Sequence, residues 1–269
     1  MLLGPRALVA SLRHQLRRVE TATDKAQFKD QKVKDFLEPF LYPQNIFLWL
    51  FFFACLYYRR KGLWLLLIWF YLTGNTLVAN QVRDWYNTQI STAVLPANFN
   101  GDYVLLGCGG NEHSLPDCAS NRINQLALML NAQQRPVHVY MTTLHCAPYE
   151  ALLKQKTDYA AISCFDGGPT TYHEFVSLSK KLDNTKDYLF ISSDYHALRV
   201  KKLSQLHQLN AQVYAASSAT FRPVNCGWNC LLTVNLSNYD LFSKLAAETA
   251  SLQVYRLTKD WTDWYTPGS

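Results

Sequence analysis

Two uncharged apolar runs, four residues apart, constrain this chain more than any other feature. From Ile46 to Tyr58 it reads IFLWLFFFACLYY, and after RRKG it resumes as LWLLLIWFYLTGNTLVA. A surface helix of a water-soluble domain keeps a polar face, and neither run has one. The second run, Leu63 to Val82, is long enough for the roughly 20 residues of a helical membrane crossing. The first reaches that length when extended back through FLEPFLYPQN, which brings Glu38 to one interface. Trp49, Tyr57, Tyr58, Trp64, Trp69, Trp85 and Tyr86 supply aromatics, several of them where an interfacial belt would lie. Residues 38–82 are therefore expected to form a transmembrane helical hairpin in contact with membrane lipids. The apolar run starts too far along for a cleaved signal peptide, and no small-residue cleavage site follows it.

Charge divides on which way the hairpin faces. The tight loop Arg59–Arg60–Lys61–Gly62 favours a cytoplasmic tip, which would put both flanks outside. The basic residues Arg13, Arg17, Arg18, Lys25, Lys29, Lys32 and Lys34 argue the reverse. Cysteine tips the balance. Cys108, Cys118, Cys146, Cys164, Cys226 and Cys230 all follow the hairpin, and an even, dense set suits an oxidising compartment. Their spacing does not choose a pairing, and CGWNC (Cys226 to Cys230) reads as a loop or a disulfide. No CxxC or Cys/His spacing suits a metal. The net charge of +6 sits largely in the first 37 residues and the hairpin loop. It fits anionic headgroups, with no nucleic-acid binding implied.

The remainder alternates. A basic arm (1–37), the hairpin and a connector (83–100) precede a domain over 101–269. In that domain DYVLLG, VHVYMTT, YAAISC, YLFIS and AQVYAAS read as strands, and amphipathic stretches lie between and after them. This pattern predicts an α/β fold, a Rossmann-like, mostly parallel sheet with helices on both faces. Ligands bind such sheets at the carboxyl ends of the strands.

The polar candidates fall there. GCGGNEH after the first strand offers Gly107, Gly109, Gly110 and Asn111 as an anion-binding nest, or as a mere tight turn. Arg122 is placed near the start of the next helix, where a cation opposes the helix dipole. Glu150 opens the second helix, and Thr170 or Thr171 with Glu174 resembles a capping box. In ISSDYHALRV, Ser192 and Ser193 end a strand, and His196 and Arg199 lie one turn apart on the following helix. Hydroxyl and guanidinium suit a phosphate or carboxylate, and imidazole suits proton transfer near neutral pH.

These motifs, in this order, resemble the YdcF-like family, which includes the SanA proteins and the membrane-anchored envelope biogenesis factor ElyC. GDYVLLGCGG is similar to the family's opening strand and Gly-rich turn. Arg122 and Glu150 match its helix arginine and its Glu after the second strand. TTYHE matches its Thr-x-x-Asn/Glu box through Thr171 and Glu174. ISSDYHALRV resembles its Thr-Ser-x-Tyr-His-x-x-Arg signature through Ser193, Tyr195, His196 and Arg199, and AAETASLQVYRL its late helix, with Glu248. MTTLHC stands where the family has a Ser-Gly pair, and Thr170 where Asn or Asp is usual. The resemblance implies a Rossmann-like α/β domain at the bacterial inner membrane, in envelope, peptidoglycan or lipid-carrier biogenesis; the hairpin loop and the cysteines put that domain in the periplasm. The implied ligands are a phosphorylated small molecule, a polyprenyl phosphate or S-adenosylmethionine, with envelope-assembly proteins as partners. No settled reaction comes with the resemblance; the residues themselves point to a hydrolase or transferase acting on a phosphate-containing envelope intermediate, with His196, Glu150 and Glu174 as the catalytic candidates. The alternatives are a non-catalytic ligand-sensing or assembly factor, and a nucleotide or S-adenosylmethionine binder.

Overall fold

The computed structural model describes residues 39–90, 99–168 and 170–265. The basic arm and most of the 91–100 half of the connector lie outside them. Three helices come first: α1 (Pro43–Tyr58), α2 (Lys61–Gly74) and α3 (Thr76–Ile90). The α/β part follows as β1 (Asp102–Leu106), α4 (Asp117–Gln133), β2 (Val137–Thr142), α5 (Cys146–Lys156) and β3 (Ala160–Phe165). It continues with α6 (Thr171–Lys181), β4 (Tyr188–Ser193), α7 (Asp194–Leu206), β5 (Ala211–Ala216) and α8 (Leu236–Tyr265). The chain divides into two compact units. Of the described residues, 39–78 and Val224–Asn238 form one, and Ala79–Pro223 with those from Tyr239 onward form the other.

The five strands make one parallel sheet in the order β3-β2-β1-β4-β5, as the alternation of strands and helices predicts. Its two faces read directly off β1. Tyr103 and Leu105 pack with Ile123, Leu126 and Leu153 from α4 and α5. Val104 and Leu106 pack with Phe175, Leu178, Val200 and Leu203 from α6 and α7. Period-two alternation between two apolar faces is what a sheet covered on both sides requires. The strand order reverses between β1 and β4, so their carboxyl ends frame the crevice where ligands enter folds of this kind.

Two expectations change. Residues 83–90 are not connector but the end of α3, because Ala79, Arg83, Tyr86 and Ile90 recur at helical spacing and are all buried. A charged residue inside that stripe hid it. Nor does the second apolar run form one helix to Val82. It breaks after Gly74, where Asn75 adopts an extended conformation and accepts hydrogen bonds from the Leu77 and Val78 amides. Ahead of α1, Tyr42 is extended while residues 39–41 are helical, and the FLE that opens FLEPFLYPQN lies outside the described residues. The helices have 16 and 14 residues. Among the described residues no single helix is long and apolar enough to cross a membrane, although α2 and α3 meet the length and composition as a bent pair.

Asn75 also donates to the Cys230 carbonyl at 2.7 Å and is buried. Asn75→Ala should therefore destabilise the first unit by about 1–2 kcal/mol, measured by denaturant unfolding followed through tryptophan fluorescence. An unchanged midpoint would show that the cap is dispensable.

Candidate functional site

A cleft of about 500 Å³ opens at the carboxyl end of the sheet. Its floor comes from the turn after β1 and the end of β2, and its walls from the β3–α6 turn, α6 and α7. In the β1 turn, Gly109 and Gly110 adopt positive φ of 74° and 113°, a region open mainly to glycine. Their amides make no hydrogen bond among the described residues, which is the arrangement of an anion nest. Gly107 lines the cleft as well, and a Cβ there would meet the Thr142 carbonyl at 2.4 Å.

Tyr149 holds this turn in shape. Its hydroxyl accepts from the Cys108 amide and donates to the Gly109 carbonyl, both at 2.9 Å, and burial pushes its pKa up, so it stays a phenol. Two disulfides brace the same rim. Cys108–Cys118 joins the turn to the start of α4, and Cys146–Cys164 joins the start of α5 to β3.

Under the cleft lies Arg122, only 2% exposed. Its Nε donates to Ser193 Oγ at 3.1 Å, and its Nη1 donates to the carbonyls of Leu106 and Gly107, both at 2.8 Å. One guanidinium thus ties the end of β1 to the end of β4 across the strand-order reversal. Among the described residues, no carboxylate lies within ion-pair distance of it. Buried cations are normally paired, because desolvation is costly, so Arg122 leaves a positive potential beneath the cleft.

Glu174 supplies the cleft's carboxyl. It does not cap its helix; Thr170 does that, accepting from the His173 amide. Instead Glu174 Oε1 accepts from Thr142 Oγ1 at 3.0 Å. Burial raises its pKa to about 7, opposed by the Thr142 hydrogen bond and by Arg122 and Arg199. Gly167 makes room for it, since a Cβ there would stand 2.6 Å from Glu174 Cγ.

At the rim, Arg199 lines the cleft and Glu248 of α8 holds it, with Nε 3.0 Å from Oε2. Glu248 Oε1 also lies 2.6 Å from His196 Nδ1, which is 2.9 Å from Arg199 Nη2. The Glu248 carboxylate favours a proton on His196 Nδ1, directed at Oε1. Burial lowers the His196 pKa, against the pull of Glu248, so the ring is neutral at pH 7.

Of the residues expected from sequence, Gly107, Gly109, Gly110, Thr171, Glu174 and Arg199 line the cleft. Arg122 and Ser193 lie buried beneath it, and Ser192 is buried with its hydroxyl unbonded among the described residues. His196 does not line the cleft, and instead stands behind Arg199 through Glu248. Asn111 turns away, its Oδ1 accepting from the His113 and Ser114 amides. Glu150 pairs with exposed Lys154 at 2.9 Å, outside the cleft. It lies near Cys146 and Cys164, whose disulfide removes the thiolates a metal would need. Sequence reasoning left out Thr142 and Tyr149, whose partners are distant in the chain, and did not count Glu248 among the site residues.

Comparison with known proteins adds no relative: no family model matches the chain, and no curated protein or solved structure matches it significantly.

Glu174 makes stability depend on pH. Its folded-state pKa lies above the ordinary 4.5, so the folded chain keeps a proton that the unfolded chain has lost. Stability from this group is full below about 4.5, falls as pH rises toward about 7 and levels off beyond. His196, held neutral, tilts the other way through acid pH but is common to parent and variant. Glu174→Gln should flatten the profile over that window and stabilise the protein above it, read from unfolding midpoints across pH. Parallel parent and variant profiles would contradict the shift.

Proposed function

We propose that the α/β unit binds the phosphate of a phosphorylated small molecule or polyprenyl phosphate in this cleft and transfers protons through Glu174. The charge of buried Arg122, which no carboxylate meets at ion-pair distance among the described residues, carries this reading. The Gly109 and Gly110 amides and Arg199 supply donors around the place an anion would take, and backbone amides beside a buried cation favour phosphate. With a pKa near 7, Glu174 is present in both protonation states at neutral pH, as a group that gives and takes protons should be. That assigns it the protonation of a leaving oxygen in hydrolysis or group transfer. His196 becomes a positioning residue: with Glu248 it fixes the Arg199 guanidinium.

S-adenosylmethionine fits less well. Its cationic sulfonium would meet Arg199 and find one cleft carboxyl among the described lining residues, Glu174, about half protonated at neutral pH.

In this reading the chain is an envelope-biogenesis protein of the bacterial inner membrane, as its likeness to the YdcF-like family implies, with the α/β unit outside. The three disulfides accord with an oxidising compartment. The apolar helices accord with lipid, since Phe47, Leu50, Phe53, Leu65, Leu66 and Trp69 are exposed. A helix of 16 residues is about 24 Å long against a hydrocarbon core of about 30 Å. The hairpin would therefore sit in a locally thinned bilayer, with Arg59, Arg60 and Lys61 reaching to the headgroups. The prior engagement of Arg199 by Glu248 favours a second reading, in which the ligand is sensed without turnover and read by envelope-assembly proteins.

Titration calorimetry with inorganic phosphate and farnesyl phosphate, with farnesol as control, tests the site. The parent should bind both phosphates and not farnesol through the cleft. Arg199→Ala should weaken phosphate binding about tenfold or more, and His196→Ala should weaken it less. Glu174→Gln should keep binding and lose turnover of farnesyl phosphate. Undiminished phosphate binding by Arg199→Ala would overturn the assignment, and absent turnover in the parent would select the sensing reading.

A further inference from the structure

The hairpin unit carries two recesses of its own, and one short turn walls both. The turn is the 3₁₀ segment Trp228–Leu231, which overlaps the loop closed by the Cys226–Cys230 disulfide and ends one residue past it. Two side chains from the end of α2 pin it. Tyr71 Oη donates to the Leu231 carbonyl at 2.6 Å, and Asn75 Nδ2 donates to the Cys230 carbonyl at 2.7 Å.

On one side of the turn is a pocket of about 450 Å³. Among the described residues its polar lining is amide and hydroxyl, including Gln44, Asn225, Asn229 and Asn235, and no ionisable acid or base lines it. Tyr42 and Trp228 add aromatic surface, and Trp228 is 64% exposed. The side chains of Gln44, Asn225 and Asn229 make no hydrogen bond among the described residues, so their donors and acceptors remain available. On the other side, Leu231 and Leu232 join Trp49, Phe52, Trp64 and Ile68 in a recess of about 350 Å³ whose walls are almost wholly apolar.

A neutral set of amides beside aromatic rings matches hydroxyl-rich, uncharged groups: each amide both donates and accepts, and a ring covers a sugar's C–H face. With no cation in the described lining, a phosphate or phosphocholine headgroup finds no charged partner there. The apolar recess matches a hydrocarbon chain. We infer that this turn seats a glycolipid-type amphiphile, its uncharged sugar among Gln44, Asn225 and Asn229 and its tail along α1 and α2 beyond Leu231. The site is separate from the sheet-edge cleft and takes neutral heads where that cleft takes anions.

Photo-crosslinking of the full chain in phosphatidylcholine nanodiscs tests this. The probes are an alkyl β-glucoside and an alkyl phosphocholine carrying the same diazirine tail, with labelled peptides mapped by mass spectrometry. The glucoside should label residues 224–235 and the facing positions of α1 and α2, and excess unlabelled alkyl glucoside should suppress it. Gln44→Ala combined with Asn225→Ala removes no hydrogen bond seen in the fold and should cut that labelling about tenfold. Equal labelling by the phosphocholine probe, or labelling spread along the hairpin and indifferent to the double variant, would overturn the inference. Since the sheet-edge cleft is untouched, phosphate binding by Arg199→Ala fails or holds independently of this result.

Discussion

A buried guanidinium with no carboxylate at ion-pair distance among the described residues is the constraint on which the α/β unit depends. Arg122 satisfies its Nε and Nη1 with Ser193 Oγ and the carbonyls of Leu106 and Gly107, so it joins two strand ends that the sheet order has just brought together. Hydrogen bonds to neutral acceptors satisfy geometry without cancelling charge. Above that charge lie two glycine amides left open among the described residues, a second arginine at the rim, and a carboxyl that burial keeps about half protonated at neutral pH despite the two cations nearby. Removing Arg122 would unpair buried groups as well as discharge the site, so its roles in folding and binding are not separable by deletion.

The rim is built to hold still. Tyr149 accepts from one backbone group of the glycine turn and donates to another, and disulfides tie that turn and the start of α5 to neighbouring elements. Glu248 fixes Arg199 and His196 together. Preorganised donors cost little reorganisation when an anion arrives, which is what binding or stabilising a phosphate requires.

Much of this was legible in the sequence, for identifiable reasons. Strands buried on both faces announce themselves as short apolar runs between amphipathic stretches, so the order of elements and the placement of polar residues at strand ends could be read. Partnerships could not. Glu150 and Glu174 both stand near helix starts, yet one reaches solvent and Lys154 while the other turns to Thr142. Tyr149, next to Glu150, is rotated about 100° round the helix and meets the glycine turn. His196 and Arg199 were read as neighbours, but the group that joins them, Glu248, comes about fifty residues later. The Arg122 acceptors include backbone carbonyls, which leave no mark in a sequence. The break at Asn75 was hidden for another reason: hydropathy averages over a residue whose side chain caps a new helix.

The most direct measurement is a crystal structure of the chain soaked with tungstate, a phosphate analogue visible by its anomalous scattering. The account predicts an anomalous peak in the cleft, within hydrogen-bonding reach of Arg199 and the amides of Gly109 and Gly110. An ordered cleft without such a peak, with tungstate found only at surface lysines and arginines, would contradict it.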